Sequence, residues 1–288
     1  MSKSFRTIKL SKAVTEVRMD VESGTEWEQW FLLSSDRHHD NAHCDHGLEK
    51  RHLDQALERE AGILDFGDMH DAMAWKDDRR QNRDAMRNEY NVESYFDSLV
   101  SEAVTFYSPY AKNWILISQG NHETAVTKKW GTNLIERTVQ GLNQETGSQI
   151  VSGGYGGWVN FVVDQHGHRQ RFRMKFFHGS GGGGPVTRGV IQTNRHAVYL
   201  PDAHIVVSGH THDAWVVPIA RERVSKTGEI YIDEQTHIKT ATYKDEYGDG
   251  TGGWHIERGG PPKPLGGWWL RFYKRTNREV RYEIQRTD

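Results

Sequence analysis

The sequence predicts an α/β fold built on a helix-covered sheet, and three observations carry that prediction. Four short apolar runs each stop at a polar cluster, helical patterns fill the gaps between the early runs, and the second half alternates strand patterns with turns. The runs are Trp30-Phe31-Leu32-Leu33 ahead of Ser34-Ser35-Asp36-Arg37-His38-His39-Asp40, Ile63-Leu64-Asp65-Phe66 ahead of Gly67-Asp68, Trp114-Ile115-Leu116-Ile117 ahead of Gly120-Asn121-His122-Glu123, and Ile205-Val206-Val207 ahead of Gly209-His210-Thr211-His212. Runs this short and unbroken belong to strands buried on both faces.

The first helix is expected over 45–61, where Leu53, Ala56, Leu57 and Ala61 fall at helical spacing and Asp45 can cap the start. With its flanking strands it makes a strand–helix–strand unit of about thirty residues between Asp36 and Asp68. A second helix is expected within 77–103, where Val92, Tyr95, Phe96, Leu99 and Ala103 stripe a charged segment. Segments 158–163 and 171–177 read as strands around a turn at Gln165-His166-Gly167. Residues 214–219, 229–233 and 236–242 continue in that style, and 268–273 with 279–284 form a last hairpin. Gly-rich loops are expected near 179–200 and 243–267. No repeat and no dividing linker is visible, so the chain reads as a single domain over 1–288.

Composition narrows the chemistry. Lys plus Arg (37) nearly balances Asp plus Glu (39), so net charge points to neither a nucleic-acid nor a membrane partner. Cys44 is the only cysteine, which excludes an internal disulfide and a cysteine-built zinc site, and fits a reducing, cytoplasmic setting. No secretory signal and no apolar run long enough to span a membrane is visible. The unusual number is 16 His, which directs attention to metal or proton chemistry.

The carboxyl ends of parallel strands are where α/β sheets build their sites. Side chains at i and i+2 of an extended segment point the same way, so Asp36 and His38 can grip one ion while Arg37 turns away. His210 and His212 repeat that spacing. Asp68 adds a carboxylate after Gly67, which permits a tight exit from its strand. Asn121 offers a carbonyl oxygen, and His178 stands in Phe177-His178-Gly179. Oxygen and nitrogen donors without sulfur suit Mn²⁺, with Fe or Zn²⁺ as alternatives.

These blocks resemble the calcineurin-like metallophosphoesterase family, whose pattern is D-x-H, G-D-x-x-D, G-N-H-[DE], a lone H, then G-H-x-H. Here they read Asp36-Arg37-His38, Gly67-Asp68-Met69-His70-Asp71, Gly120-Asn121-His122-Glu123, His178, and Gly209-His210-Thr211-His212, in order over residues 36–212. The resemblance implies two stacked mixed β-sheets flanked by helices in a four-layer sandwich. It also implies two divalent metal ions: one held by Asp36, His38, Asp68 and His212, the other by Asp68, Asn121, His178 and His210, with Asp68 bridging. Two such ions about 3.5–4 Å apart can activate a bridging hydroxide for in-line attack on a phosphoester. His122 would then be the general acid or a donor to the phosphoryl oxygen, and Asp71 would orient it.

Within that family the Ser/Thr protein phosphatases continue the second block as G-D-x-V-D-R-G. This chain has Ala72 where that arginine would stand. The difference favours a phosphodiester substrate, such as a nucleotide or nucleic acid, over a phosphoprotein. A phosphomonoesterase acting on a small molecule is the enzyme alternative, and reuse of the fold as a protein-interaction scaffold is the alternative of another class.

Other polar features have plainer readings beside tempting ones. His39 and Asp40 read as hydrogen-bond partners of the ligands or as loop polarity, and His43, Cys44 and His46 as a solvated loop and helix start. Arg171, Arg173 and Lys175 read as the wet face of a half-buried strand before they read as a backbone-binding stripe. Gly181–Gly184 could admit a phosphate, and Arg188 and Arg195 could clamp one. Trp254, Trp268 and Trp269 read as packing residues before base-stacking ones.

Overall fold

The chain opens with two strands, β1 (Phe5–Lys9) and β2 (Val14–Asp20). There follow β3 (Glu28–Ser34), α1 (His46–Glu58), β4 (Gly62–Asp65), α2 (Tyr95–Tyr107), β5 (Trp114–Ile117), α3 (Asn121–Trp130), α4 (Leu134–Thr146) and β6 (Val151–Ser152). The second half contributes β7 (Gly156–Gln165), β8 (His168–Phe177), α5 (Ile191–Tyr199), β9 (Ile205–Ser208), β10 (Ala214–Val224), β11 (Ile230–Thr240), α6 (Trp254–Glu257), β12 (Trp268–Thr276) and β13 (Glu279–Arg286). The computed structural model describes residues 4–21, 26–73, 85–90, 92–182, 184, 186–248, 250–251, 254–257 and 259–288. Among them no helix is long and apolar enough to cross a membrane.

The strands form two mixed sheets. One runs β13-β12-β3-β4-β5-β6, with β3 to β6 parallel; the other runs β1-β2-β7-β8-β9-β11-β10. Their facing sides make one core, in which Phe31 and Phe272 of the first sheet meet Phe161 of the second at ring separations of 4.9 and 5.0 Å. Such aromatic pairs add roughly 0.5–1.5 kcal/mol each beyond the area they bury. A second core lies between the β3–β5 face and α1, α2 and α4, centred on Leu32, Leu53, Ile63, Tyr107, Trp114 and Leu142. On the other side α5 sets His196 between Phe177 and His237. The predicted α/β class and the two stacked mixed sheets flanked by helices are therefore what the chain adopts.

Several expected boundaries move. The first helix matches, with Asp45 capping through an acceptor bond from the Leu48 N–H (2.9 Å). The second begins at Tyr95, not near 77. Its stripe of Tyr95, Leu99, Ala103 and Tyr107 starts there, Val92 is exposed ahead of it, and 77–84 lie outside the described residues. Strands β7 and β8 outrun their expected ends because the turn is a tight pair, His166 (φ 54°) and Gly167 (φ 86°), whose twist matches antiparallel strands. Segments 229–233 and 236–242 merge into β11. The loop expected near 179–200 contains α5, and that near 243–267 contains the short α6.

Candidate metal centre

Five strands deliver the candidate residues at their carboxyl ends. β3 leads into Asp36 and His38, β4 into Asp68, β5 into Asn121 at the start of α3, β8 into His178, and β9 into His210 and His212. The first three strands belong to one sheet and the last two to the other. The cluster therefore sits where the two sheets meet at one end of the sandwich.

The backbone corrects one expectation. Asp36 (φ 51°), His38 (φ 47°), Asp68 (φ 56°), His210 (φ 75°) and His212 (φ 56°) are all left-handed, so the i, i+2 pairs do not alternate along extended segments. Left-handed turns, each costing on the order of 1 kcal/mol or more in a non-glycine residue, aim the side chains instead. Specific bonds hold them. The N–H groups of Asp36 and His38 donate to the carbonyls of Gly67 (2.8 Å) and Asp68 (3.0 Å), and Thr242 Oγ1 (2.7 Å) and Tyr243 N–H (3.0 Å) donate to the Asp36 carbonyl. The buried Glu123 carboxylate accepts from the N–H groups of Gly120 (2.8 Å), His70 (2.9 Å) and Asp68 (3.2 Å), tying α3 to the Asp68 turn. Gly120 and Gly209 permit these contacts, because a Cβ on the first would collide with Asp68 Oδ1 and on the second with Ser35 and Asp36.

The side chains meet in groups. Asp36, His38 and His212 place one ligand atom each within 4.8 Å of one another, and so do Asp68, His178 and His210. In the first group His212 Nε2 lies 3.3 Å from His38 Nε2 and 3.4 Å from Asp36 Oδ1. In the second, Asn121 Oδ1 lies 2.6 Å from His210 Nδ1 and 3.1 Å from His178 Nε2, which is 3.0 Å from Asp68 Oδ2. His178 Nε2 also lies 3.8 Å from Asp36 Oδ1, so the groups adjoin. Outer contacts turn the right nitrogen inward: His178 Nδ1 is 3.0 Å from the Phe66 carbonyl, and His38 Nδ1 is 2.9 Å from Asp71 Oδ1.

The electrostatics suit a cation. Asp36 and Asp68 are buried, and among the described residues neither forms an ion pair with Lys or Arg. Burial pushes Asp36 up, but His178 and His212 outweigh it and hold it well below the usual carboxylate range; His178 and His122 do the same for Asp68. Burial works against a charge on His178 as well, yet Asp68 and Asp36 raise it to about 10. His38, which burial lowers to about 4, is a neutral donor. Carboxylates, imidazoles and one amide oxygen are a donor set that fits a pair of divalent ions, a bound cation taking the place of the proton that Asp68 and Asp36 hold on His178.

His122 stands at the rim. Its N–H donates to Asp68 Oδ1 (2.9 Å), its Nδ1 lies 2.5 Å from the Asp71 carbonyl oxygen, and its Nε2 lies 3.7 Å from Asp68 Oδ2. The expected pairing with Asp71 is thus made by the main chain. The Asp71 carboxylate is 3.8 Å from His122 Nδ1 and closer to His38.

Residues outside the motifs build the support. Arg37 does turn away: fully buried, it pairs with Glu49 (2.9 Å) and Asp65 (2.9 Å) and lies 4.9 Å from the Tyr243 ring and 5.1 Å from that of Trp114. His39 and Asp40 are not loop polarity. His39 bridges Glu49 and Glu102, and Asp40 accepts from the N–H groups of Asp71 (2.6 Å) and Ala72 (2.9 Å). The solvated-loop reading holds for exposed His43 but fails for Cys44 and His46, whose ligand atoms gather with those of His39 and Glu49 within 4.8 Å. Each of those atoms has a protein partner there: the Cys44 thiol donates to Glu49 (3.8 Å), and His46 Nε2 sits against the His39 carbonyl (2.8 Å). Glu123 could have been found in the sequence as the acidic third residue of a helix whose cap is Gly120. Arg188 and Arg195 are exposed, as are Arg171 and Arg173, while Trp269 is core and Trp268 donates to the Lys239 carbonyl (2.6 Å). The Trp254 side chain lies outside the described residues.

No protein-family model and no curated protein matches the chain. Solved structures give slight likenesses. Vps29 of Entamoeba histolytica, complexed with Zn²⁺, is 10% identical, with 90% of this chain and 99% of that one covered at a TM-score of 0.36. A predicted phosphoesterase of Streptococcus pneumoniae TIGR4 is 9% identical, with 91% and 99% covered at a TM-score of 0.31. GAP50 of Plasmodium is 9% identical, with 89% and 84% covered at a TM-score of 0.39. Likenesses this slight carry no argument, and the architecture rests on the strand order above.

Proposed function

We propose that the chain is a metallophosphoesterase of the calcineurin-like kind with two divalent ions, Mn²⁺ first and Fe or Zn²⁺ as alternatives, acting on the phosphodiester of a nucleotide or nucleic acid. One observation carries the reading. Two groups of His and Asp donors adjoin at the strand ends, and they divide as Asp36/His38/His212 and Asp68/His178/His210 with Asn121. Asp68 stands between them, since besides its place with His178 and His210 it offers a ligand atom within 4.8 Å of those of His38 and His122.

When bound, two such ions supply a water of lowered pKa as nucleophile and positive charge for the phosphoryl oxygens. The chain's own residues do the rest. The Asp71 carbonyl accepts from His122 Nδ1–H, so Nε2 is the atom that can hand a proton to the leaving alkoxide. Asp68 fixes the His122 backbone from the other side. The lean toward a diester rests on Ala72, which is buried and whose N–H is committed to Asp40, so no cationic side chain grips a terminal phosphate from that position.

The test compares hydrolysis of a bis-aryl phosphate diester and the aryl monoester in added Mn²⁺. The diester should turn over faster, Asp68→Ala should abolish turnover, and His122→Ala should lower kcat about 10²–10⁴-fold with both ions still bound. Preference for the monoester would move the reading to a phosphomonoesterase. No turnover of either by a chain holding two ions would move it to an interaction scaffold.

A further inference from the structure

After β11 the chain crosses back over the Asp36–His38 turn as a strap. Ala241 turns it with a φ of 73°, Thr242 and Tyr243 hold the Asp36 carbonyl, and Lys244 pairs with Cys44 in a single antiparallel bridge. The strap is tied at both sides, since Asp45 N–H donates to the Tyr243 carbonyl (2.8 Å) and Asp245 N–H to that of His43 (2.8 Å). Its one buried cation is Lys244, whose side chain is 6% exposed. The ammonium lies 3.3 Å from Asp71 Oδ1 and 2.8 Å from Glu246 Oε1. The same Asp71 Oδ1 lies 2.9 Å from His38 Nδ1, while Asp71 Oδ2 accepts from Asn41 Nδ2 (3.0 Å).

This arrangement has a direction. An ammonium offers only protons, so an oxygen it shares can only accept from its other neighbour. Asn41 and Lys244 therefore clamp the Asp71 carboxylate with Oδ1 2.9 Å from His38 Nδ1, close enough for its charge to act there although it stands off the line of a well-formed N–H···O bond. A carboxylate oxygen that close favours the proton on His38 Nδ1, which leaves the Nε2 lone pair toward His212 and Asp36. We propose that Lys244 is a positioning residue of the Asp36/His38/His212 ion site, acting through Asp71 to fix the tautomer and aim of His38. The inference rests on the two-ion reading above and adds a residue 32 positions beyond the last motif histidine (244 against 212). A partner of this kind typically changes metal affinity about 10–100-fold.

The experiment titrates Mn²⁺ alone into the metal-free chain, by calorimetry and by the paramagnetic resonance signal of a coupled Mn²⁺ pair. Wild type should bind two ions. Lys244→Met should weaken one of them about 10–100-fold, leave the other unchanged, and lose the coupled signal at Mn²⁺ levels that saturate wild type. Lys244→Arg should restore most of the loss, and Glu246→Gln, which keeps the Lys244–Asp71 contact, should bind both ions as wild type does. At saturating Mn²⁺ the KM of Lys244→Met for the diester should be unchanged. Unaltered ion binding with a raised KM would make Lys244 a substrate contact and overturn the inference. So would equal weakening of both ions in step with a lowered melting temperature, which marks a merely structural role. A wild type that binds fewer than two ions would overturn the two-ion reading itself, and is recognised before any variant is made.

Discussion

His39 shows how much of this centre is held by residues that no motif names. Its Nδ1 lies 2.8 Å from Glu49 Oε2 and its Nε2 2.9 Å from Glu102 Oε2, so only the imidazolium can donate to both. Burial opposes that charge, but Glu49 and Glu102 outweigh it and raise the group to about 9. Because the folded value lies above the unfolded 6.5, the stabilisation is complete below pH 6.5 and is lost as pH rises to about 9. The shift corresponds to about 3 kcal/mol. Urea denaturation of wild type and His39→Gln at pH 6 and pH 9.5 should show the wild-type advantage shrinking by that order. A difference that stays constant with pH would contradict the assignment. Neither the burial of His39 nor the identity of its partners was legible in the sequence: Glu49 and Glu102 lie 10 and 63 residues away, and only folding brings them to one ring.

At the scale of elements, the strand ends do the positioning. The short apolar runs of β3, β4, β5 and β9, interrupted only by Asp65, were legible because Phe31–Leu33, Ile63–Leu64, Trp114–Ile117 and Ile205–Val207 are buried at every position. β1 and β2 were not, since each mixes buried with exposed positions and carries no continuous run. Helix α4 has ordinary signals, with Asn133 accepting from the Glu136 N–H (3.1 Å) and Leu134, Ile135, Val139 and Leu142 buried at helical spacing; it carries no motif residue of its own and reaches the second block through Thr138 Oγ1, 3.1 Å from His70 Nε2. The spacing of Asp36 with His38 was legible, whereas its cause was not: left-handed turns replace the extended segment. Glycine then limits what the turns can tolerate. Gly120→Ala would drive a methyl group into Asp68 Oδ1 and the Asp68 backbone nitrogen. Because Asp68 stands between the two donor groups, this variant should lose tight binding of both ions in a Mn²⁺ titration, with far-UV circular dichroism unchanged. Retention of both at wild-type affinity would show that α3 can retreat without moving Asp68.

At the scale of the whole molecule, the centre exists because two sheets end at the same level. Each motif block was readable on its own, but the sequence does not say that β8 and β9 lie in a different sheet from β3, β4 and β5. Nor does it reveal that the strap after β11 returns to hold Asp36 and Asp71. The seam between sheets thus assembles donors from residues 36 to 212 and closes them with residues 242 to 244. The measurement that bears most directly on this account is the number of Mn²⁺ ions bound per metal-free chain, by calorimetric titration checked against elemental analysis. Wild type should bind two ions, and Asp68→Asn should lose tight binding of the pair. One ion or none in wild type, or two in Asp68→Asn at unchanged affinity, would contradict it.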